Sequence, residues 1–215
     1  MCGRFALVTE KHVLQMLFDL ELRGELEPRF NIAPSEEILA LRQGADGKRE
    51  LSRLKWGLVP YWAKESSIGN KLINARSETA AQKPAFRDAF RQRRALVPVS
   101  GFYEWKKVER GKQPCYIRMK DGSPFALGGL WDIWPKGNPP LQSCAILTAP
   151  ANERVAPVHD RMPVIIPPEA YTLWLKRETS LSDLQPLLSP FPAERMEVVP
   201  LPVDIFKTGL FLDYI

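Results

Sequence analysis

Apolar residues along the chain fall first into one helical period and then into a series of strand-like runs. Val13, Leu14, Leu17 and Phe18 recur at helical spacing, which predicts a helix with Thr9 as its N-cap, after a short strand over Arg4–Val8. Glu25–Arg29 is polar and contains Pro28, so it reads as a loop, and Asn31-Ile32-Ala33-Pro34-Ser35 reads as a turn. Runs at Ile38–Arg42 and Leu51–Trp56 flank Gly44-Ala45-Asp46-Gly47, the pattern of a hairpin. Trp56-Gly57-Leu58-Val59-Pro60-Tyr61-Trp62 gathers aromatics, a Gly and a Pro too irregularly for a central strand or a helix, and Ile68–Ser77 continues as loop and short strand. Pro84 can open a helix through Phe86, Ala89 and Phe90. Its other face holds Arg87, Arg91, Arg93 and Arg94, suited to solvent or to phosphate.

From Ala95 the pattern turns to strands, predicted at Ala95–Val99, Phe102–Lys106, Cys115–Met119, Phe125–Leu130 and Ser143–Thr148. Asp121-Gly122 is expected as a hairpin turn between two of them. A helical turn at Asn152–Ala156, a strand at Met162–Ile166, helices over Pro168–Lys176 and Ser182–Leu188, and a last strand at Glu197–Leu201 complete the chain. Strands outnumber helices and their connections are short. The expected fold is α+β: a single domain over residues 1–215, with a curved, mostly antiparallel sheet or open barrel flanked by helices. Repeats, low-complexity tracts and linkers are not evident.

Composition narrows the class. With 45% hydrophobic and 26% charged residues, 215 residues can bury a real core. A net charge of +5 permits a polyanionic partner without requiring one. Cys2, Cys115 and Cys144 form no CxxC pair, and the latter two sit in apolar runs as reduced core residues. His12, expected to be solvated, and His159 are the only histidines, so a dedicated zinc site is not expected. No cofactor is expected either. Arg4, Glu10 and Lys11 stand where a signal peptide needs an apolar run, and no stretch approaches the roughly 18 apolar residues that span a membrane. The expectation is a cytoplasmic, monomeric protein without a membrane partner.

Cys2 carries the most distinctive chemistry. A small second residue normally permits removal of Met1, which would place a primary amine and a thiol on adjacent carbons. The amine can condense with an aldehyde to an imine, and the thiol can then close a thiazolidine ring intramolecularly. An α-amine titrates at about 7.7–8.0 and a free thiol near about 8.5, so both reactive forms are accessible near neutral pH. On position alone, Cys2 is better explained as a small, half-buried residue at a frayed end.

Other polar residues stand in apolar or aromatic settings. Glu104 lies between Tyr103 and Trp105, where a raised pKa would suit proton transfer, although on spacing alone strand alternation turning it to water is the better account. His159, beside Asp160 and Arg161, suits a proton shuttle or a hydrogen-bonded structural role. Asn74 and Arg76 share a face of an extended chain; the amide can orient an electrophile and the guanidinium can grip a phosphate.

Taken in order, Met1-Cys2-Gly3-Arg4-Phe5, Asn31-Ile32-Ala33-Pro34, Trp56-Gly57-Leu58-Val59-Pro60, Ile73-Asn74-Ala75-Arg76-Ser77-Glu78-Thr79, Gly101-Phe102-Tyr103-Glu104-Trp105-Lys106 and His159-Asp160-Arg161-Met162-Pro163-Val164 closely resemble the SRAP family (SOS response-associated peptidase-like proteins). The resemblance is strongest over residues 1–170. It implies a mixed α/β fold that senses abasic sites in single-stranded DNA and crosslinks to them, with possible lyase and self-processing peptidase activity. It implies Cys2 as the nucleophile, surrounded by Asn74, Glu104 and His159, with Arg4 and Arg76 on flanking phosphates and Pro34 and Trp62 against neighbouring bases. Ala63 stands where some relatives carry a second Trp, and the tail from Pro202 to Ile215 departs from the family's Asn-rich close. Two other classes fit the residues alone: a cysteine hydrolase with an amino-terminal nucleophile, and a non-covalent single-strand binder.

Overall fold

A computed structural model describes residues 2–22, 24–44, 46–212 and 214–215. Met1, Ala45 of the expected hairpin turn and Asp213 of the tail lie outside the described residues. The chain runs β1 (Phe5–Leu7), α1 (Lys11–Phe18), β2 (Arg29–Ile32), β3 (Glu37–Gln43), β4 (Arg49–Trp56), β5 (Asn74–Arg76), α2 (Ser77–Ala80), α3 (Arg87–Gln92) and β6 (Arg94–Val99). It continues through β7 (Gly101–Val108), β8 (Gly111–Met119), β9 (Phe125–Trp134), β10 (Leu141–Pro150), β11 (Arg161–Pro163) and β12 (Ile165–Ile166). Last come α4 (Tyr171–Leu175), α5 (Leu181–Leu184), β13 (Met196–Pro200) and α6 (Ile205–Thr208).

The α+β class and the curved, mostly antiparallel sheet are as expected, and the barrel closes. Its strands follow the order β10-β4-β3-β6-β9, and β9 pairs with β10 to complete the ring. β10 makes this possible by changing partners along its length. One edge pairs β9 over residues 141–146 and then β11 over 148–150. The other edge runs parallel to β4 at Ser143–Cys144 and to β5 at Ile146–Thr148. A second sheet, β13-β8-β7-β1-β2, stands beside the barrel. Covered on both sides, β6 is buried throughout, and its apolar run lacks the alternation of a half-exposed strand. Fully buried Leu41, Leu54, Leu96 and Ile146 from four barrel strands belong to one core cluster. Burial of each such side chain contributes about 1.5–3 kcal/mol.

Several local expectations are corrected. Glu10, not Thr9, precedes α1, because the Thr9 hydroxyl lies 3.0 Å from that of Ser100. Asn31 and Ile32 belong to β2, so the turn begins only at Ala33. α3 starts at Arg87, after Pro84 has been spent on a turn. Of its expected basic face, Arg94 is buried and donates to the carbonyls of Trp174 and Phe90 at 2.7 and 2.6 Å, and Arg93 pairs with Asp132. Burial brings the Arg94 guanidinium down to about 10. Asp121-Gly122 joins β8 of one sheet to β9 of the other, so it is a crossover and not a hairpin. The run Met162–Ile166 is divided into β11 and β12 on different partners. Ser180, not Ser182, caps α5, accepting from the Asp183 backbone N–H at 3.1 Å.

Candidate functional site

Cys2 precedes β1 and is fully buried in the main core. The Tyr103 N–H donates to the Arg4 carbonyl at 2.9 Å, which ties this end of the chain to β7. Asn74 fixes it from the other side: its Nδ2 donates to the Cys2 carbonyl at 2.9 Å. Asn74 opens β5, whose parallel pairing with β10 sets it opposite Ile146. The terminal segment is therefore clamped between the barrel's β5 edge and β7 of the second sheet.

Glu104 is 3% exposed, which settles its orientation inward. Alternation along β7 sends Tyr103 and Trp105 to the opposite face, where their rings lie 5.0 and 5.4 Å from Phe206. Its sequence neighbours therefore do not enclose the carboxyl. Burial raises its pKa, and His159 works in the opposite direction. Burial also pushes the Cys2 thiol far above its ordinary range, with the Glu104 carboxylate adding to the effect. Cys2, Glu104 and His159 are thus electrostatically linked, and Asn74 holds the same Cys2 through its carbonyl.

His159 is half-buried at the end of a hydrogen-bonded loop. Its own N–H donates to the Val155 carbonyl at 3.0 Å, and Asn152 Oδ1 accepts from the Val155 N–H at 3.0 Å. The Nδ1 atom has two partners that demand different proton placements. Without a proton, Nδ1 accepts the Arg161 N–H at 3.0 Å. With one, it instead donates to Asp160 Oδ1 at 2.8 Å. Arg161 is itself held by both oxygens of Glu78, whose pKa is lowered to about 2 chiefly by those hydrogen bonds.

The four residues expected around phosphates and bases each have a defined local setting. Arg4 follows Cys2 closely; its Nη1 donates to Asn31 Oδ1 at 2.6 Å and its guanidinium lies 5.3 Å from the Phe206 ring centre. Arg76 is exposed on β5, with buried Ala75 between it and half-buried Asn74, as alternation requires. Pro34 precedes Ser35 in the turn after β2, and Trp62 lies on the loop that follows β4. Trp62 is 46% exposed and lines a groove of about 760 Å³ with Lys64, Ile68, Asn70 and Lys71. The turn after Pro34 reaches the same groove, because the Ser35 hydroxyl donates to Asn70 Oδ1 at 3.3 Å.

The loop carrying Trp62 is firmly anchored. The Val59 N–H donates to Ser143 Oγ at 2.8 Å and the Tyr61 N–H to Asp132 Oδ2 at 3.0 Å. The Ala63 carbonyl accepts from Trp134 Nε1 at 2.9 Å and from Lys136 Nζ at 3.0 Å. Gly57 (φ 127°) lets the loop leave β4; a Cβ there would lie 2.6 Å from the Gly69 carbonyl oxygen. Sequence reasoning gave no role to Asp132, Asn31 or Phe206. Asp132 sits inside an apolar run and Asn31 opens the Asn31-Ile32-Ala33-Pro34 motif, which were signals; Phe206 carries none without the fold.

Among the described residues no cluster of His, Cys, Asp and Glu could hold a metal ion. What the arrangement offers is a clamped cysteine backbone, a buried carboxyl, a histidine with alternative proton positions and nearby guanidinium groups. Such a set suits proton-coupled covalent chemistry on an anionic substrate.

Comparison with known proteins follows the same lines. The family model described as "SOS response associated peptidase (SRAP)" matches residues 1–208. The chain is 42% identical over 204 residues to the abasic site processing protein YoqW of Bacillus subtilis, covering 92% of this chain and 90% of that one. It is 32% identical over 186 residues to the abasic site processing protein YedK of Escherichia coli, covering 84% and 82%. A crystal structure of a Bacteroides thetaiotaomicron protein shares the fold at a TM-score of 0.86 and 24% identity, covering 96% of this chain and 94% of that one.

Proposed function

The chain belongs to the SRAP family, and on that premise we propose that it captures abasic sites in single-stranded DNA through a covalent bond to Cys2. The names of the relatives support abasic-site processing. The observation that carries the covalent reading is the Cys2 carbonyl held by Asn74 at 2.9 Å. The reacting chain begins at Cys2. Its amine attacks the aldehyde carbon of the ring-opened sugar, and loss of one water leaves an imine. The thiol then adds across the C=N bond: sulfur bonds the carbon, the proton ends on nitrogen, and a thiazolidine closes. Glu104, with its raised pKa, moves protons between the amine, the departing water and the thiol. His159 assists opening of the sugar, and Asp160 accepts a hydrogen bond from its Nδ1–H.

Arg4 and Arg76 hold phosphates beside the lesion, with Arg4 pre-set by Asn31 and Phe206. Trp62 and Pro34 meet the neighbouring unpaired bases, where stacking contributes about 1–3 kcal/mol per base without sequence preference. The imine acidifies the adjacent sugar carbon, so β-elimination of the 3′ phosphate is a side reaction of the same intermediate. Removal of Met1 by the site itself is the peptidase activity proposed. The test is incubation with abasic single-stranded DNA followed by denaturing electrophoresis. A slow-migrating adduct is expected from wild type and none from Cys2→Ala; equal adduct from both overturns the assignment.

A further inference from the structure

A second groove, of about 440 Å³, lies against the residues that would carry the chemistry. Lys106, Cys115, Lys120, Arg154, Val158 and Glu197 are among those that line it. Lys106 follows Glu104 by two positions on β7 and shares its face. Cys115 is the cross-strand partner of Glu104, and Val158 directly precedes His159. The groove therefore borders the strand and the loop that carry Glu104 and His159, and it shares no lining residue with the groove at Trp62.

Its charge is one-sided. Lys106, Lys120 and Arg154 are exposed, and among the described residues none of them is in an ion pair. The groove's carboxylate, Glu197, is taken by Arg118 at 2.6 Å. The cations stand on anchored backbone. Lys106 pairs with Gln113 across β7 and β8, the Lys120 N–H donates to the Arg195 carbonyl at 3.0 Å, and the Arg154 N–H donates to Asn152 Oδ1 at 3.1 Å. Asn152 is buried and donates to the Phe191 carbonyl at 2.7 Å. Three uncompensated cations on fixed elements call for an anion with repeated charges, and Pro157, Val198 and Pro200 give the walls apolar surface.

We propose that this groove is a second phosphate track, which holds the single strand on the His159 side of the lesion and is distinct from the phosphates at Arg4 and Arg76. It rests on the proposed function, and the experiment separates the two. Non-covalent affinity is measured against salt for a single strand bearing a tetrahydrofuran abasic analogue, which lacks the aldehyde. The variants are Lys106→Ala/Lys120→Ala/Arg154→Ala and the charge-preserving Lys106→Arg/Lys120→Arg/Arg154→Lys. Loss of three single-strand phosphate contacts should reduce the slope of log affinity against log salt by about 2, and weaken binding roughly hundredfold at 0.1 M salt. The charge-preserving variant should keep the slope, and both should melt near wild type. At saturating aldehydic DNA the alanine variant should still reach full adduct yield. Wild type that forms adduct alongside an alanine variant with unchanged slope overturns the groove assignment alone. Loss of polyglutamate binding with an unchanged DNA slope would reassign the groove to acidic peptides. Wild type that forms no adduct overturns the function on which the proposal rests.

Discussion

Asp132 joins the stability of the fold to the placement of Trp62. Its carboxylate is 5% exposed near the end of β9, accepts the Tyr61 N–H at 3.0 Å and the Ile133 N–H at 2.8 Å, and faces Arg93 at 3.3 Å. Asp132→Ala removes both acceptors and leaves a guanidinium whose side chain is only 23% exposed without its partner. Breaking a buried ion pair from one side costs about 3–5 kcal/mol. Partial access of water to Arg93 puts the expected loss at the low end, about 3 kcal/mol. Asp132→Asn keeps one carbonyl acceptor and should lose about half as much, since hydrogen bonds to charged groups are worth about 1.5–3 kcal/mol and neutral ones about 1. Urea unfolding followed by tryptophan fluorescence measures both. At subsaturating abasic DNA the alanine variant should also capture more slowly, with the final yield unchanged, because its loop no longer fixes Trp62 while Cys2 is untouched. A loss below about 1 kcal/mol would refute the energetic argument. A full loss with unaltered capture would refute the link between this latch and substrate binding.

Glu104→Gln should abolish or strongly slow adduct formation yet stabilise the fold near neutral pH. The raised pKa means that the folded protein holds a proton which the unfolded chain releases, so wild type loses stability as pH rises from 4.5 through the raised value; the melting advantage of the variant should grow over that window, and an advantage independent of pH contradicts the argument. Glu78→Gln should behave oppositely. A folded pKa lowered from 4.5 to about 2 gives stability that is full above 4.5 and lost as pH falls toward 2, so the deficit of the variant should shrink in acid. With Glu78 46% exposed, screening keeps that deficit below about 1 kcal/mol in thermal melts. Phe206→Ala should cost about 2–3 kcal/mol, less than a fully buried phenylalanine, and should weaken non-covalent binding of the abasic analogue by freeing Arg4; unchanged binding in a folded variant removes Phe206 as a positioning residue.

Local signals in the chain were strong where one pairing decides the outcome. The hairpin of β3 and β4 follows from two apolar runs and an Asp-Gly turn between them, and the register Ile38↔Leu54 obeys that pattern. Asp121-Gly122 carries the same turn chemistry but joins two sheets, because the choice of partner for β9 is made by β6 and β10 far away in sequence. Closure of the barrel, with its parallel β4–β10 contact, likewise depends on pairings that no window of sequence contains. Arg94 looked like a solvated basic residue, but the carbonyls of Trp174 and Lys176, far away in sequence, join that of Phe90 in accepting from its buried guanidinium. At the site, the motifs marked Cys2, Asn74, Glu104 and His159 individually. The clamp on Cys2 and the stacking of a tail residue beneath Arg4 emerge only from the fold.

The central claim is that the amine and thiol of Cys2 together trap a sugar aldehyde. Intact-mass spectrometry of the protein mixed with an abasic single-stranded oligonucleotide tests it most directly. The account predicts a species equal to the chain from Cys2 onward plus the oligonucleotide minus one water, absent from Cys2→Ala. Chain beginning at Cys2 that stays unmodified beside aldehydic DNA, or a condensation adduct heavier by one Met residue, on chain that still retains Met1, would contradict it.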